Sequence, residues 1–322
     1  MPRTASLQPS TKTRDFAGAG TPNQTPRYTG RFAPSPTGAL HLGSLVAAIG
    51  SYLDARAHGG RWLLRIEDLD AGRVIAGCSA AIQRTLEAFG LTWDGAVEYQ
   101  SARTQHYAEA LAALRRRGLT FECSCSRSEL RPAGAYPGTC RSGPHRRGPT
   151  ATRFRVGDSS VCFDDRVQGR CRFELSSLGD VIIRRRDGAF AYQLAVVVDD
   201  ALQGVSDVVR GADLLDNTPW QIALQEALGF PAPRYAHLPV VLEPRQGKLA
   251  KSRGALALEP QTAGAQLHQA LTLLHQEPPA TLKSEPAATV LEWGRRHWNL
   301  DRFQGLKKVT VPTSRAARQP GK

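Results

Sequence analysis

The stretch TGRFAPSPTGALHLGSLVAAIGSYLDARA, residues 29–57, constrains the fold more than any other part of the chain. A short apolar run at 29–33 is cut by Pro34, Pro36 and Gly38, and an apolar-periodic segment then runs from about Leu42 to Ala57, which reads as strand, loop and helix. RWLLRI from Arg61 reads as a second buried strand, and AAIQRTLEAFG from Ala80 as an amphipathic helix closed by Gly90. Strand and helix in alternation imply an α/β domain built on a parallel sheet. In such a sheet ligands gather at the carboxyl ends of the strands, where a helix start offers unpaired N–H groups and a positive dipole end. His41 and Gly43 fall at that junction. Gly43 permits close backbone approach and His41 can donate to a phosphate oxygen, although a histidine there can equally be a cap or a surface residue.

Further along, TQHYAEALAALRRRG is helical and residues 121–149 are rich in Cys, Pro and Gly, too irregular to pack without a staple. Short β-like runs follow at 152–156, 161–164 and 181–184, and longer apolar runs return at 189–198 and 207–209. TPWQIALQEALG reads as helix, HLPVVLE as strand, PRQGKLAKSRGAL as loop, and two helical segments lie near 262–275 and 287–298. The expected division is a disordered leader at 1–28, a domain in two halves at 29–118 and 189–255, an insert at 119–188, a helical segment at 256–306 and a basic tail at 307–322.

The excess of 42 Lys and Arg over 29 Asp and Glu, a net charge of +13, suits a polyanionic partner; a solvated basic surface is the plainer alternative. Apolar runs such as AYQLAVVVDDAL are far shorter than the roughly 20 residues that span a bilayer, so no membrane segment is expected. The first 27 residues lack the apolar core of a secretory signal, which points to the cytoplasm, where closely spaced thiols are more often metal ligands than disulfide partners. CSCSRSELRPAGAYPGTC places Cys123, Cys125 and Cys140 together. Three thiolates suit Zn²⁺ but leave it one ligand short, and the fourth could be Tyr136, water or a histidine such as His145; free thiols or a redox pair are the alternative. Cys78, Cys162 and Cys171 stand alone and read as small buried hydrophobes. About 200 residues after His41, GKLAKS presents Lys248 and Lys251, two ammonium groups able to meet charge on a triphosphate.

HLGS and KLAKS together resemble the HIGH and KMSKS signatures of class I aminoacyl-tRNA synthetases, and RFAPSPTGALHLGSL with LLRIEDLD is similar to the glutamyl branch. Ser44 and Ala250 are mild departures, the latter lacking one signature hydroxyl. The resemblance implies a Rossmann-like catalytic domain in which a substrate carboxylate attacks the α-phosphate of ATP and the aminoacyl group then passes to a hydroxyl. It assigns His41 and Lys251 to catalysis, and His41, Gly43, Lys248 and Lys251 to ATP, with Mg²⁺ sharing the charge. It places Arg31, Phe32, Ala33, Pro34, Ser35, Glu67, Tyr192 and Arg210 around L-glutamate: arginine forks on carboxylate, Glu67 on the α-ammonium, Tyr192 closing a wall. The plainer readings are an ion pair of Glu67 with Arg65 or Arg73 and a half-buried strand position for Tyr192, while Asp68 and Asp70 read as structural or surface acids.

The C-x-C…Y-x₃-C pattern resembles the zinc site of one subgroup, the glutamyl-Q tRNA(Asp) synthetases, which implies one Zn²⁺ on Cys123, Cys125, Tyr136 and Cys140. Only 71 residues follow Lys251, too few for the helical anticodon-binding region of a full glutamyl-tRNA synthetase. The resemblance therefore implies an enzyme without an anticodon-binding domain, whose insert helps bind the acceptor; a monomer is the expectation, although the sequence itself does not reveal the oligomeric state. It would activate L-glutamate with ATP, without needing tRNA, and attach it to queuosine in the anticodon of tRNA(Asp). The alternatives are an enzyme acting at the tRNA 3′ end with a separate anticodon module, and a non-catalytic RNA-binding module.

Overall fold

The computed structural model describes residues 14–15, 28–130, 135–243, 247–248 and 258–312. β1 (Arg14–Asp15) lies parallel to Val161–Cys162, and Tyr28 is buried, so these parts of the expected leader belong to the fold. β2 (Thr29–Phe32), α1 (Leu42–Ala57) and β3 (Arg61–Ile66) follow the sequence reading closely. Both strands are buried almost throughout, as expected of parallel strands covered on both faces. After α2 (Cys78–Ala88), β4 (Glu98–Tyr99) extends the order β2–β3–β4, all parallel. α3 (Thr104–Arg116) leads into the insert.

In the insert, β5 (Thr120–Cys123) precedes the one-turn α4 (Arg127–Leu130), and β6 (Ala151–Phe154) pairs antiparallel with β5. β7 (Ser160–Asp165), β8 (Gly169–Glu174), the one-turn α5 (Leu175–Leu178) and β9 (Val181–Arg184) come next. β9 joins β6, but β7 and β8 do not join this sheet. The strands within the expected insert at 119–188 therefore fall in two sheets. α6 (Tyr192–Leu202), β10 (Asp207–Gly211), α7 (Thr218–Leu228) and β11 (Arg234–Leu238) follow, and β7 pairs parallel with β11 through Asp165 and Tyr235. A sheet of order β7–β11–β10 results, with β8 antiparallel to β7. Ser206 N–H donates to Thr29 O at 3.0 Å and Thr29 N–H to Ser206 Oγ at 2.9 Å, which brings the start of β10 against β2.

The valines of α6 are strand formers by local preference. They lie in a helix because Leu194, Ala195 and Val196–Val198 are all buried where α6 packs on α3, α7 and β9. Tyr192 therefore opens a helix and does not sit in a strand. β12 (Val240–Glu243) carries β13 (Gly247–Lys248) antiparallel, and α8 (Ala263–Leu273) and α9 (Ala287–His297) pack on α1, with Leu267, Leu271 and Leu291 in the core shared with Ile49 and Leu53. Gly50 lets α1 sit close to β11, since a Cβ there would stand 2.4 Å from a Leu238 methyl. β14 (Lys308–Thr310) lies parallel to β12, so the first part of the expected tail is a strand. Among the described residues, no helix is long and apolar enough to cross a membrane.

Candidate active site

The carboxyl ends of β2, β3 and β10 and the first turns of α1 and α6 surround a cleft of about 670 Å³. Arg31, Phe32, Ala33, Pro34, Ser35, Glu67, Tyr192 and Arg210 all line it, together with His41 and Gly43. Segments about 180 residues apart in the chain thus meet where the parallel sheet directs ligands.

His41 is the N-cap of α1. Its Nδ1 accepts the Gly43 N–H at 3.1 Å and the Ser44 N–H at 3.4 Å, while Ser44 Oγ takes the His41 N–H at 2.7 Å. The capping and donor readings of His41 are therefore compatible. Because Nδ1 accepts, the neutral ring carries its proton on Nε2, and that N–H is a donor beside the dipole end of α1.

One wall of the cleft is a buried ion cluster. Arg31 Nε and Nη2 grip the two Asp200 oxygens at 3.1 and 3.3 Å, and Arg65 Nη2 reaches Asp200 at 2.8 Å and Glu67 at 3.5 Å. The expected ion pair of Glu67 with Arg65 is thus present alongside its place in the cleft. Burial pushes the Glu67 carboxyl up to about 7, against the pull of Arg65 and Arg31. Behind it Asp199 takes Arg103 Nε at 2.6 Å, Gln100 Nε2 at 2.8 Å and Tyr107 OH at 2.8 Å.

The opposite wall holds Arg210, which gives Nε–H to His237 Nε2 at 3.0 Å, Nη2–H to Thr218 Oγ1 at 2.9 Å and Nη1–H to the Tyr192 hydroxyl at 3.3 Å. Burial holds the Tyr192 phenol above its ordinary range, so it stays a neutral hydroxyl. Asp68 takes the Ser101 N–H and hydroxyl, and Asp70 pairs with Arg73 and Arg185, which fits their reading as structural acids. Lys248 lies in β13, on the hairpin that leaves the cleft wall at Val240 and Val241. Lys251 and Ala250 lie outside the described residues.

The cysteine trio forms a second centre. The sulfurs of Cys123, Cys125 and Cys140 lie within 4.8 Å of one another, with Cys125 and Cys140 at 3.6 Å and the Tyr136 hydroxyl 3.6 Å from Cys123 Sγ. A tetrahedron of ~2.3 Å metal–sulfur bonds has edges of about 3.8 Å, so this donor set fits a tetrahedral ion. Burial raises the Cys140 thiol, but the hydrogen bond with His145 Nδ1 at 3.2 Å and backbone donors outweigh it and bring the group to about 5. The Cys140 N–H donates to the Tyr136 oxygen at 2.7 Å, and the Arg153 guanidinium lies 3.8 Å above the Tyr136 ring. Gly179, at φ +72, passes so close to Tyr136 that a side chain there would meet its backbone at 2.7 Å. Cys78 and Cys162 are buried as expected, whereas Cys171 is half-exposed.

The model of the class I tRNA synthetase (E and Q) catalytic domain matches residues 28–267. A glutamyl-Q tRNA(Asp) synthetase of Pseudomonas aeruginosa is 52% identical over 293 residues, which covers 90% of this chain and 99% of that one. The chain belongs to the glutamyl-Q tRNA(Asp) synthetase family. A member from Ectopseudomonas mendocina is 54% identical over 278 residues, covering 86% of this chain and 95% of its own. A glutamate tRNA ligase structure from Elizabethkingia meningosepticum shares the fold at a TM-score of 0.74 and 24% identity, over 89% of this chain and 67% of that one. Sequence reasoning missed Asp200, Asp165 and His237, and named Arg65 only as an ion-pair partner for Glu67. The only signal for them was charge inside apolar runs, as in VVVDDAL and LLRI.

Proposed function

We propose that this chain activates L-glutamate with ATP, without tRNA, and transfers it to the queuosine base of tRNA(Asp). The observation that carries this is a single cleft with a carboxylate on one wall, arginines on both, and a helix N-terminus between them. Arg31 and Arg210 hold substrate carboxylate, Glu67 holds the α-ammonium, and Tyr192 supplies a neutral hydroxyl. His41 Nε2–H and the α1 amides face the phosphates, with Gly43 allowing close approach; Lys248 of the hairpin and Lys251 supply charge, and Mg²⁺ enters with ATP. The glutamate α-carboxylate oxygen bonds to the α-phosphorus as the bond to pyrophosphate breaks. A queuosine hydroxyl oxygen then attacks the acyl carbon, AMP leaves, and the hydroxyl proton is lost to solvent. Positioning and electrostatics drive both steps, and no protein nucleophile takes part. Cys123, Cys125, Cys140 and Tyr136 would hold one Zn²⁺, which when bound cross-links the end of β5 to its loop and supplies folding energy.

The test is glutamate transfer to tRNA(Asp) whose 3′ end is blocked but whose queuosine is intact. Transfer is expected to persist, and to vanish after periodate destroys both diols. A 3′-blocked tRNA that accepts no glutamate would overturn this reading in favour of 3′-end charging.

A further inference from the structure

We propose that Asp165 and His237 are positioning residues that decide which edge of the Arg210 guanidinium faces the cleft. The inference rests on the reading of Arg210 as a carboxylate-binding residue.

The arrangement is buried throughout: His237 is fully enclosed, and Asp165, Arg210 and Thr218 are at most 5% exposed. The parallel pairing of β7 with β11 sets Asp165 beside the strand that carries His237. Asp165 Oδ1 accepts the backbone N–H groups of Val167, Gln168 and His237 at 3.0, 2.8 and 3.1 Å, and Oδ2 lies 2.5 Å from His237 Nδ1. A carboxylate with that many donors is fixed in place and ionised, so it accepts a hydrogen bond from Nδ1–H. His237 Nε2 must then be an acceptor, and it receives the Arg210 Nε–H. Burial, with Arg210 alongside, holds the imidazole below its ordinary range and hence neutral, despite Asp165.

Nε–H and the adjacent Nη2–H form one of the two forks a guanidinium can offer a carboxylate. Here that fork is taken by His237 Nε2 and Thr218 Oγ1, themselves 3.2 Å apart. One Nη1–H goes to Tyr192, which leaves one hydrogen on each terminal nitrogen for a ligand. Arg31 shows the contrasting solution, since its Nε and Nη2 fork is filled by the carboxylate of Asp200, which it shares with Arg65. Arg210 is braced by neutral acceptors instead and keeps its positive charge for the substrate. Asp165 supplies the order in this brace, one imidazole removed, by selecting the tautomer.

The experiment is ATP–pyrophosphate exchange by the full chain, measured for the KM of L-glutamate and of ATP in Asp165→Asn, His237→Gln, the double variant and Thr218→Val. In Asp165→Asn the new amide donates to Nδ1 and moves the proton to Nε2, where it meets the Arg210 Nε–H donor to donor. The KM for glutamate should rise at least ~10-fold, as for loss of a hydrogen bond to a charged group, with the KM for ATP unchanged. His237→Gln keeps an acceptor oxygen near the Nε2 position, so it should stay within about threefold of the parent, and the double variant should match it, because residue 165 no longer selects a tautomer. Thr218→Val, equal in size, should raise the glutamate KM alone, and it serves if a residue-165 variant fails to fold. An unchanged glutamate KM in Asp165→Asn or Thr218→Val, a parallel rise in the ATP KM, or a double variant worse than His237→Gln would overturn the inference. A parent protein that shows no glutamate-dependent exchange would overturn the reading of Arg210 and this inference with it.

Discussion

Glutamate binding should weaken as the pH falls through neutrality, because the group assigned to the substrate ammonium is Glu67. Its carboxyl is raised from an ordinary 4.5 to about 7 by burial, with Arg65 and Arg31 opposing. Only the ionised form pairs with an ammonium, and the ionised fraction drops from about 0.9 at pH 8 to about 0.1 at pH 6 for a group with a pKa of about 7. The KM for L-glutamate in ATP–pyrophosphate exchange should therefore rise about tenfold between pH 8 and pH 6. Glu67→Gln should raise the KM at pH 8 and flatten its pH dependence. Stability of the unliganded chain moves the other way. A carboxyl whose folded pKa lies above its unfolded one stabilises the fold most below pH 4.5, and that contribution is lost as the pH rises through about 7. Exchange kinetics from pH 6 to 8 on both proteins decide the matter. A KM that is flat in the parent, or a slope that survives in Glu67→Gln, would refute the assignment.

Asp200→Ala would leave two buried guanidinium groups, on Arg31 and Arg65, without their shared partner. Breaking such a cluster costs about 3–5 kcal/mol, or a fall in Tm on the order of 6–20 °C, readable by thermal denaturation. Cys123→Ser should take the zinc content from about one per chain to near zero by elemental analysis, and a purified parent with no zinc would refute the site.

The run from Arg31 to Ser35, His41, Glu67, Tyr192 and Arg210 were legible as candidates because signature spacing survives in the chain, and the structure brings them to one cleft. α1 and β3 were legible because each follows one hydrophobic period between clear breakers. The membership of β7 was not, since its partner β11 lies some 70 residues away and no local pattern records which sheet a short strand will join. Tyr192 shows the limit of local preference: a run of valines favours a strand, yet burial against three elements makes it a helix. Asp200 and Asp165 were hidden for a related reason. An acid in an apolar run reveals its role only through the arginine or imidazole that the fold sets against it.

The backing of α1 by α8 and α9 has a consequence for how the chain comes into being. Ile49 and Leu53 are made early in synthesis, but Leu267, Leu271 and Leu291, which cover them, emerge more than 200 residues later. During that interval the nascent polypeptide exposes an oily helix that only its far end can close over. Such long-range closure is slow and prone to aggregation, so the ribosome-bound intermediate is the stage at which a holdase would have most to protect.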